Sequence, residues 1–227
     1  MKWLVTFFGS GIGKKLLMSL TGLFLILFLI VHLLGNLQLL KDDGGQSFNV
    51  YAKLMTTNPL IKIIAYGNYF FILLHAFVGI SLAWFNSKAK GQKYAVSHSM
   101  HTSWASKNMA LLGTLILAFI LIHMGDFWLK MKLDQLPMIS YPGIDGEMKD
   151  LYFRVSEAFK NPIIVFTYVT GLIVLALHLL HGFQSAFQTL GINHKKYTPI
   201  IKFLGVAYAI IIPLGYIIIP VYHFLMK

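Results

Sequence analysis

The chain has 227 residues, 57% of them hydrophobic and 12% charged, with a formal net charge of +11 and no cysteine. Soluble domains are about 25% charged, so a freely soluble fold is excluded and a membrane protein is expected. The missing thiols exclude disulfides, thiolate-held iron–sulfur clusters and covalently attached haem in this chain, and the lysines flank apolar runs, which reads as membrane topology and not as a nucleic-acid surface.

Residues 1–15 are short and basic, and Trp3, Phe7 and Phe8 suit an interfacial segment. The run after Lys14 and Lys15 is too long for a cleavable signal and lacks a small-residue cleavage site. Five spans are predicted, at about 16–40, 58–85, 108–129, 161–190 and 199–225, each long enough to cross a bilayer with some tilt. The second and fourth open on Asn-Pro (Asn58-Pro59 and Asn161-Pro162), a capping residue followed by proline in the first helical position. Lys41 to Thr57 reads as a polar connection with a turn at Asp42-Asp43-Gly44-Gly45. Lys130 to Lys160 reads as the longest loop, with a short amphipathic helix near Tyr152 to Phe159. Pro213 and Pro220 are expected to bend the fifth span.

Four of these spans carry a histidine inside an apolar run: His32, His75, His123 and His178. Intramembrane ionisable residues are functional candidates by default. His75 and His178 are each followed four residues later by glycine (Gly79 and Gly182), one turn along the same helix face. An imidazole beside bare backbone is what a flat cofactor needs to lie against a helix.

The spacing also contains a repeat. His75 and His178 each lie sixteen residues after the proline that opens their span, and His32 and His123 each lie ten residues after a glycine, Gly22 or Gly113. Spans one and two therefore read as a unit repeated in spans three and four, an architecture that places a site between the halves. With five spans, the N-terminus and the second and fourth connections share a side that carries ten lysines and no acid; the other side carries nine Lys/Arg and all eight Asp/Glu. The ten lie in shorter loops, which favours a cytoplasmic N-terminus. Depth then sorts the histidines into an outer pair, His32 with His123, and an inner pair, His75 with His178. A b-type haem with two axial histidines takes one ligand from each of two helices at matched depth. The expected fold is all-α, a four-helix haem-binding bundle plus a fifth helix, holding two haems stacked across the membrane.

Other polar residues receive plainer readings. His181, three residues after His178, competes with it as a ligand but has no glycine four residues on. His98, His101, Lys90 and Lys93 lie in a basic connection, where surface exposure competes with contact to the carboxylates of an inner cofactor; His194 reads as a surface residue. His223 is expected at the interface, and Asp126 at the outer end of the third span, where an acid reaches water. Ser19, Thr21, Asn36 and Gln38 read as groups that bond helix to helix.

The ordered set of SLTGLFLILFLIVH (Ser19 to His32), LHAFVGI (Leu74 to Ile80), His123, RVSEAFKNP (Arg154 to Pro162) and HLLHGFQSAFQTLG (His178 to Gly191) spans nearly the whole chain. It resembles the cytochrome b membrane-anchor subunit of succinate:quinone oxidoreductases (succinate dehydrogenase and fumarate reductase), in the single-subunit, five-helix, di-haem form. The resemblance implies two haems b, one on His32 and His123 and one on His75 and His178. It implies a flavoprotein with FAD and an iron–sulfur subunit as partners on the cytoplasmic face of the inner membrane, and a quinone, menaquinone, as the electron partner in the lipid. Two features depart from the family pattern. Some di-haem fumarate reductases have an acid two positions before the fourth-span ligand, where this chain has Ala176, and a glutamate near the outer end of the first span, whereas the first glutamate here is Glu147. The resemblance therefore assigns no proton route and no quinone-binding residue. Two rival readings stand beside it: the haem b subunit of a hydrogenase or formate dehydrogenase, and a non-haem transporter with buried histidines.

Overall fold

A computed structural model describes residues 2–89 and 104–226. Lys90, Lys93, His98 and His101 lie outside the described residues. Among the described residues, five helices are long and apolar enough to cross a membrane: Gly11–Leu40, Pro59–Lys88, Met109–Lys132, Pro162–Thr189 and Thr198–Met226. The chain is therefore a multi-pass, all-α membrane protein, with span boundaries close to those the hydropathy predicts.

Helix α1 (Lys2–Gly9) precedes the first span and exposes Trp3, Phe7 and Phe8. It folds back so closely that a Cβ on Gly13 would meet the Phe7 carbonyl oxygen, so only glycine fits there. Helix α2 (Gly11–Asn36) is capped by Ser10, whose hydroxyl accepts from the Gly13 N–H at 3.1 Å, and ends in a tighter 3-10 turn, Leu37–Leu40. The connection that follows is not simply polar coil. Gly44 and Gly45 take positive φ angles of 61° and 84°, and the Asp43 carboxylate accepts from the N–H groups of Gly45 and Ser47 at 3.0 Å, which starts a further helix, α3 (Gln46–Thr57). Its apolar residues are too few for a span, but Phe48 packs with Leu39, Val155 and Phe159 in a core on this side of the protein.

Helix α4 (Pro59–Ala89) starts as expected, with the Asn58 side chain accepting from Leu60 N–H at 2.9 Å. After the short α5 (Trp104–Lys107), the third span begins as α6 (Met109–His123), passes through a π-helical turn at Met124–Leu129 and finishes as α7 (Lys130–Lys132). Strands β1 (Met138–Ile139) and β2 (Met148–Lys149) pair as an antiparallel hairpin, and α8 (Leu151–Phe159) is the amphipathic helix anticipated in the long loop. Helix α9 (Pro162–Thr189) is capped by Asn161, and α10 (Thr198–Met226) accommodates Pro213 and Pro220 within a single helix.

Neighbouring spans touch in a ring: α2 with α4, α4 with α6, α6 with α9, and α9 with α2. Helix α10 stands outside this ring against α2 and α9. It approaches closely through small residues, Gly205 against Phe183 and Gly215 against Leu33, as helices do where lipid removes the hydrophobic drive for association. Two tyrosines fasten it: Tyr208 donates to the Ile26 carbonyl at 2.5 Å and Tyr216 to the Leu29 carbonyl at 2.7 Å. At the end opposite the N-terminus, α3, the hairpin and α8 form a cap. Its centre is Asn49, fully buried, which donates to the Tyr141 hydroxyl and the Asp150 carboxylate and accepts from the Tyr152 N–H. His223 belongs to this region. It is fully buried among Tyr152 and Phe159, with Nδ1 3.1 Å from the Ser156 hydroxyl.

Candidate functional site: two facing imidazole pairs

The four histidines come together in twos. His32 on α2 faces His123 at the end of α6, with ring centroids 5.8 Å apart and planes at 87°. His75 on α4 faces His178 on α9 at 6.4 Å and 71°. In the ring of four spans, α2 and α6 are opposite corners, as are α4 and α9. Each pair therefore bridges one diagonal of the bundle. The pairs lie at different depths: His32 and His123 are about 12–14 Å of helical rise from the capped end of their spans, His75 and His178 about 24 Å.

The geometry suits ligation of one metal by each pair. Two imidazoles that each give one nitrogen to the same ion, at the metal–imidazole distance of about 2 Å, have centroids about 6.3 Å apart, close to both measured separations. Among the described residues no three His, Asp or Glu side chains converge on a point that could hold a metal ion. Each pair could therefore give an ion two ligands, as for an iron that takes its remaining coordination from a porphyrin.

The surroundings of the two pairs differ. The pair nearer the cap is boxed by aromatic rings. Phe28 stacks on His32 at 5.2 Å and Phe119 on His123 at 6.1 Å, each from the position four residues earlier, while Tyr216, Phe127 and Tyr168 close the sides. The Phe-x-x-x-His spacing repeated in the two half-units is a sequence signal for this box that the histidines overshadow. The deeper pair is flanked by glycine and a hydroxyl. A Cβ on Gly22 would sit 3.3 Å from His75 Cε1, and one on Gly113 3.9 Å from His178 Cε1. The glycines ten residues before His32 and His123 thus lie against the histidines of the neighbouring helices, not their own. Around Gly182, a Cβ would meet only the helix's own His178, at 4.0 Å, and around Gly79 the Met18 side chain at 3.5 Å. Gly182 therefore keeps its backbone open, whereas Gly79 is covered by Met18.

The helix-to-helix reading holds for Thr21 and not for Ser19 or Asn36. Thr21 Oγ1 lies 2.9 Å from His75 Nδ1, whereas Ser19 donates to its own helix at the Lys15 carbonyl and the Asn36 amide donates to the His32 carbonyl at 2.7 Å. His178 Nδ1 is buried without a hydrogen-bond partner. The ring facing His75 is that of His178; His181 lies about 4.5 Å of rise further toward the N-terminal side. Asn68, on α4 near the level of the pair beside the cap, is also buried, with its Oδ1 unpartnered.

Asp126 does not simply reach water. It sits in the π-helical turn that follows His123, and Arg154 of α8 binds it twice: Nη2 to the carboxylate and Nε to the main-chain carbonyl, both at 3.1 Å. π-Helical turns often occur at functional sites, where they re-aim side chains. Here the turn brings an acid of the span to the one arginine of the chain and ties the cap to the helix that carries His123. No protein-family model, curated protein or solved structure matches the chain.

Proposed function

We propose that the chain is the di-haem b membrane-anchor subunit of a succinate dehydrogenase or fumarate reductase complex, passing electrons between an iron–sulfur subunit and a membrane quinone, menaquinone. The observation that carries the electron-transfer reading is the pair of imidazole pairs, one on each diagonal of a four-helix bundle and at separate depths. In this reading His32 and His123 hold the haem nearer the cap, and His75 and His178 the haem nearer the N-terminal side. Bound haem iron supplies one-electron storage at each level. The chain itself fixes ligand direction, sets the polarity around each iron and keeps water away. Phe28 and Phe119 brace one pair of rings, and Thr21 braces His75.

In this reading succinate and fumarate chemistry takes place outside this chain. Asp126 is the one acid within the described spans, and the chain has no cysteine. That chemistry would belong to a flavoprotein partner with FAD, reached through the clusters of an iron–sulfur partner, both on the cytoplasmic face of the inner membrane beside the lysine-rich side that carries the N-terminus. The family resemblance of the sequence motifs supports this assignment over a hydrogenase or formate dehydrogenase subunit.

The test is a dithionite-reduced minus oxidised spectrum of the purified protein, with haem quantified per chain and the co-purifying subunits identified. Two b haems per chain with a flavoprotein and an iron–sulfur protein are expected. A folded preparation without haem would overturn the electron-transfer reading in favour of a transporter. Two haems with hydrogenase or formate dehydrogenase subunits would retain electron transfer and overturn the complex.

A further inference from the structure

We infer that Thr21 is a positioning residue that fixes the tautomer of His75 and makes the two deeper imidazoles unequal donors, an asymmetry written into the repeat by the exchange of Thr21 for Leu112. This rests on the haem reading of the site and deepens it.

The hydroxyl of Thr21, which is 2% exposed, has three neighbours: the Leu17 carbonyl at 2.7 Å, the Met18 carbonyl at 3.2 Å and His75 Nδ1 at 2.9 Å. A hydroxyl has one proton and two lone pairs. The proton goes to the nearer carbonyl, so the oxygen accepts toward His75. Nδ1 is then the protonated nitrogen, and Nε2 carries the lone pair. A hydrogen bond donated by the far nitrogen of a metal-binding imidazole fixes its tautomer and orientation and raises its basicity. His75 is held ready to bind through Nε2.

The second half of the repeat supplies an internal control. Gly22 aligns with Gly113, and each lies against the deeper histidine of the next helix, His75 or His178. The residue before each glycine is then the equivalent of Thr21, and in the second half it is Leu112, 2% exposed. His178, the counterpart of His75, has its Nδ1 buried without a partner. The two halves keep the histidine and the glycine but differ in the hydroxyl. A more basic imidazole favours ferric over ferrous iron, so the Thr21 bond lowers the potential of the deeper site and leaves the site of His32 and His123 untouched.

The experiment is a potentiometric titration of the purified full-length protein, with ferric low-spin EPR on the same samples, for wild type, T21V, T21S and L112T. Haem per chain in the wild type is read first: none would fail the haem reading itself. With two haems, T21V should shift one centre about tenfold toward the ferrous form, about 59 mV upward for a one-electron couple, and change its EPR signal alone. T21S should restore both. L112T, which offers His178 Nδ1 a hydroxyl, should shift the same centre downward. Loss of the deeper haem in T21V with retention in T21S also supports the bond. Unmoved potentials in T21V, a shift of the other centre, or equal damage in T21S and T21V would overturn the inference.

Discussion

Replacing Asn49 with alanine tests whether the cap is held by one buried amide. The side chain is fully buried, and its Nδ2 donates to the Tyr141 hydroxyl at 2.9 Å and to Asp150 Oδ1 at 2.8 Å. Its Oδ1 accepts from the Tyr152 N–H at 2.9 Å, so a single residue joins α3, the hairpin loop and the start of α8. The bond to Tyr141 contributes about 1 kcal/mol net and that to the carboxylate about 2, and an unsatisfied Tyr152 N–H adds about 1–2, so N49A should weaken the cap by about 4 kcal/mol. At about 1.4 kcal/mol per decade, local opening should become several hundredfold more frequent. Hydrogen exchange followed by mass spectrometry in detergent or nanodiscs reads this directly, with the α9 peptides as internal reference. N49D should lose a similar amount at pH 7, because it keeps the acceptor but sets a carboxylate against Asp150. Cap peptides that exchange within threefold of wild type in N49A would refute the reasoning.

Three further outcomes are expected. H178A should reduce haem from two to one per chain while H181A keeps both, read by haem quantification; two haems in H178A would remove His178 from the ligand set. R154M strands Asp126, whose side chain is only 21% exposed, and should cost about 2–3 kcal/mol. The R154M/D126N double variant should cost at least about 1 kcal/mol less than the sum of the singles, measured by unfolding in a detergent–denaturant titration; additive losses would show that the pair is not coupled. Burial disfavours the charge of Asp43, but the hydrogen bonds from Ser47 and Gly45 prevail, with help from Lys41, and hold its carboxyl below the ordinary value. Its contribution to the start of α3 is therefore present above the unfolded value of about 3.9 and is lost as pH falls through the lower folded value. Once corrected for the intrinsic pH dependence of exchange, protection at the first turn of α3 should be flat from pH 5 to 8 and fall below pH 4, and D43N should remove that pH dependence.

Much of the site was legible because membrane sequences state depth directly. An apolar run gives the span, Asn58-Pro59 and Asn161-Pro162 mark where two of them begin, and a fixed rise per residue converts position into depth. Depth alone therefore matches His32 with His123 and His75 with His178. Residues whose role depends on another element were less legible. Thr21 reads as one more small polar group in a span until α4 is placed beside it. His223 reads as a chain-end residue until α8 closes over it. The α3 helix is hidden in the polar run after Lys41 because its helical start depends on a turn with two glycines at positive φ, and its burial depends on α8 and the 3-10 turn after α2.

The sequence by itself determined the lipid environment, the number of spans and the depth of each histidine, because hydropathy, capping and rise are properties of one segment at a time. Only the tertiary structure decided that the two pairs bridge the two diagonals, that α10 stands outside the bundle, and that Gly22 and Gly113 serve the histidines of their neighbours. Those facts depend on which helices adjoin and how each is rotated. Rotation about a helix axis is set by packing between side chains of different segments, and an apolar run facing lipid on one side and other helices on the other leaves little trace of it in its own periodicity.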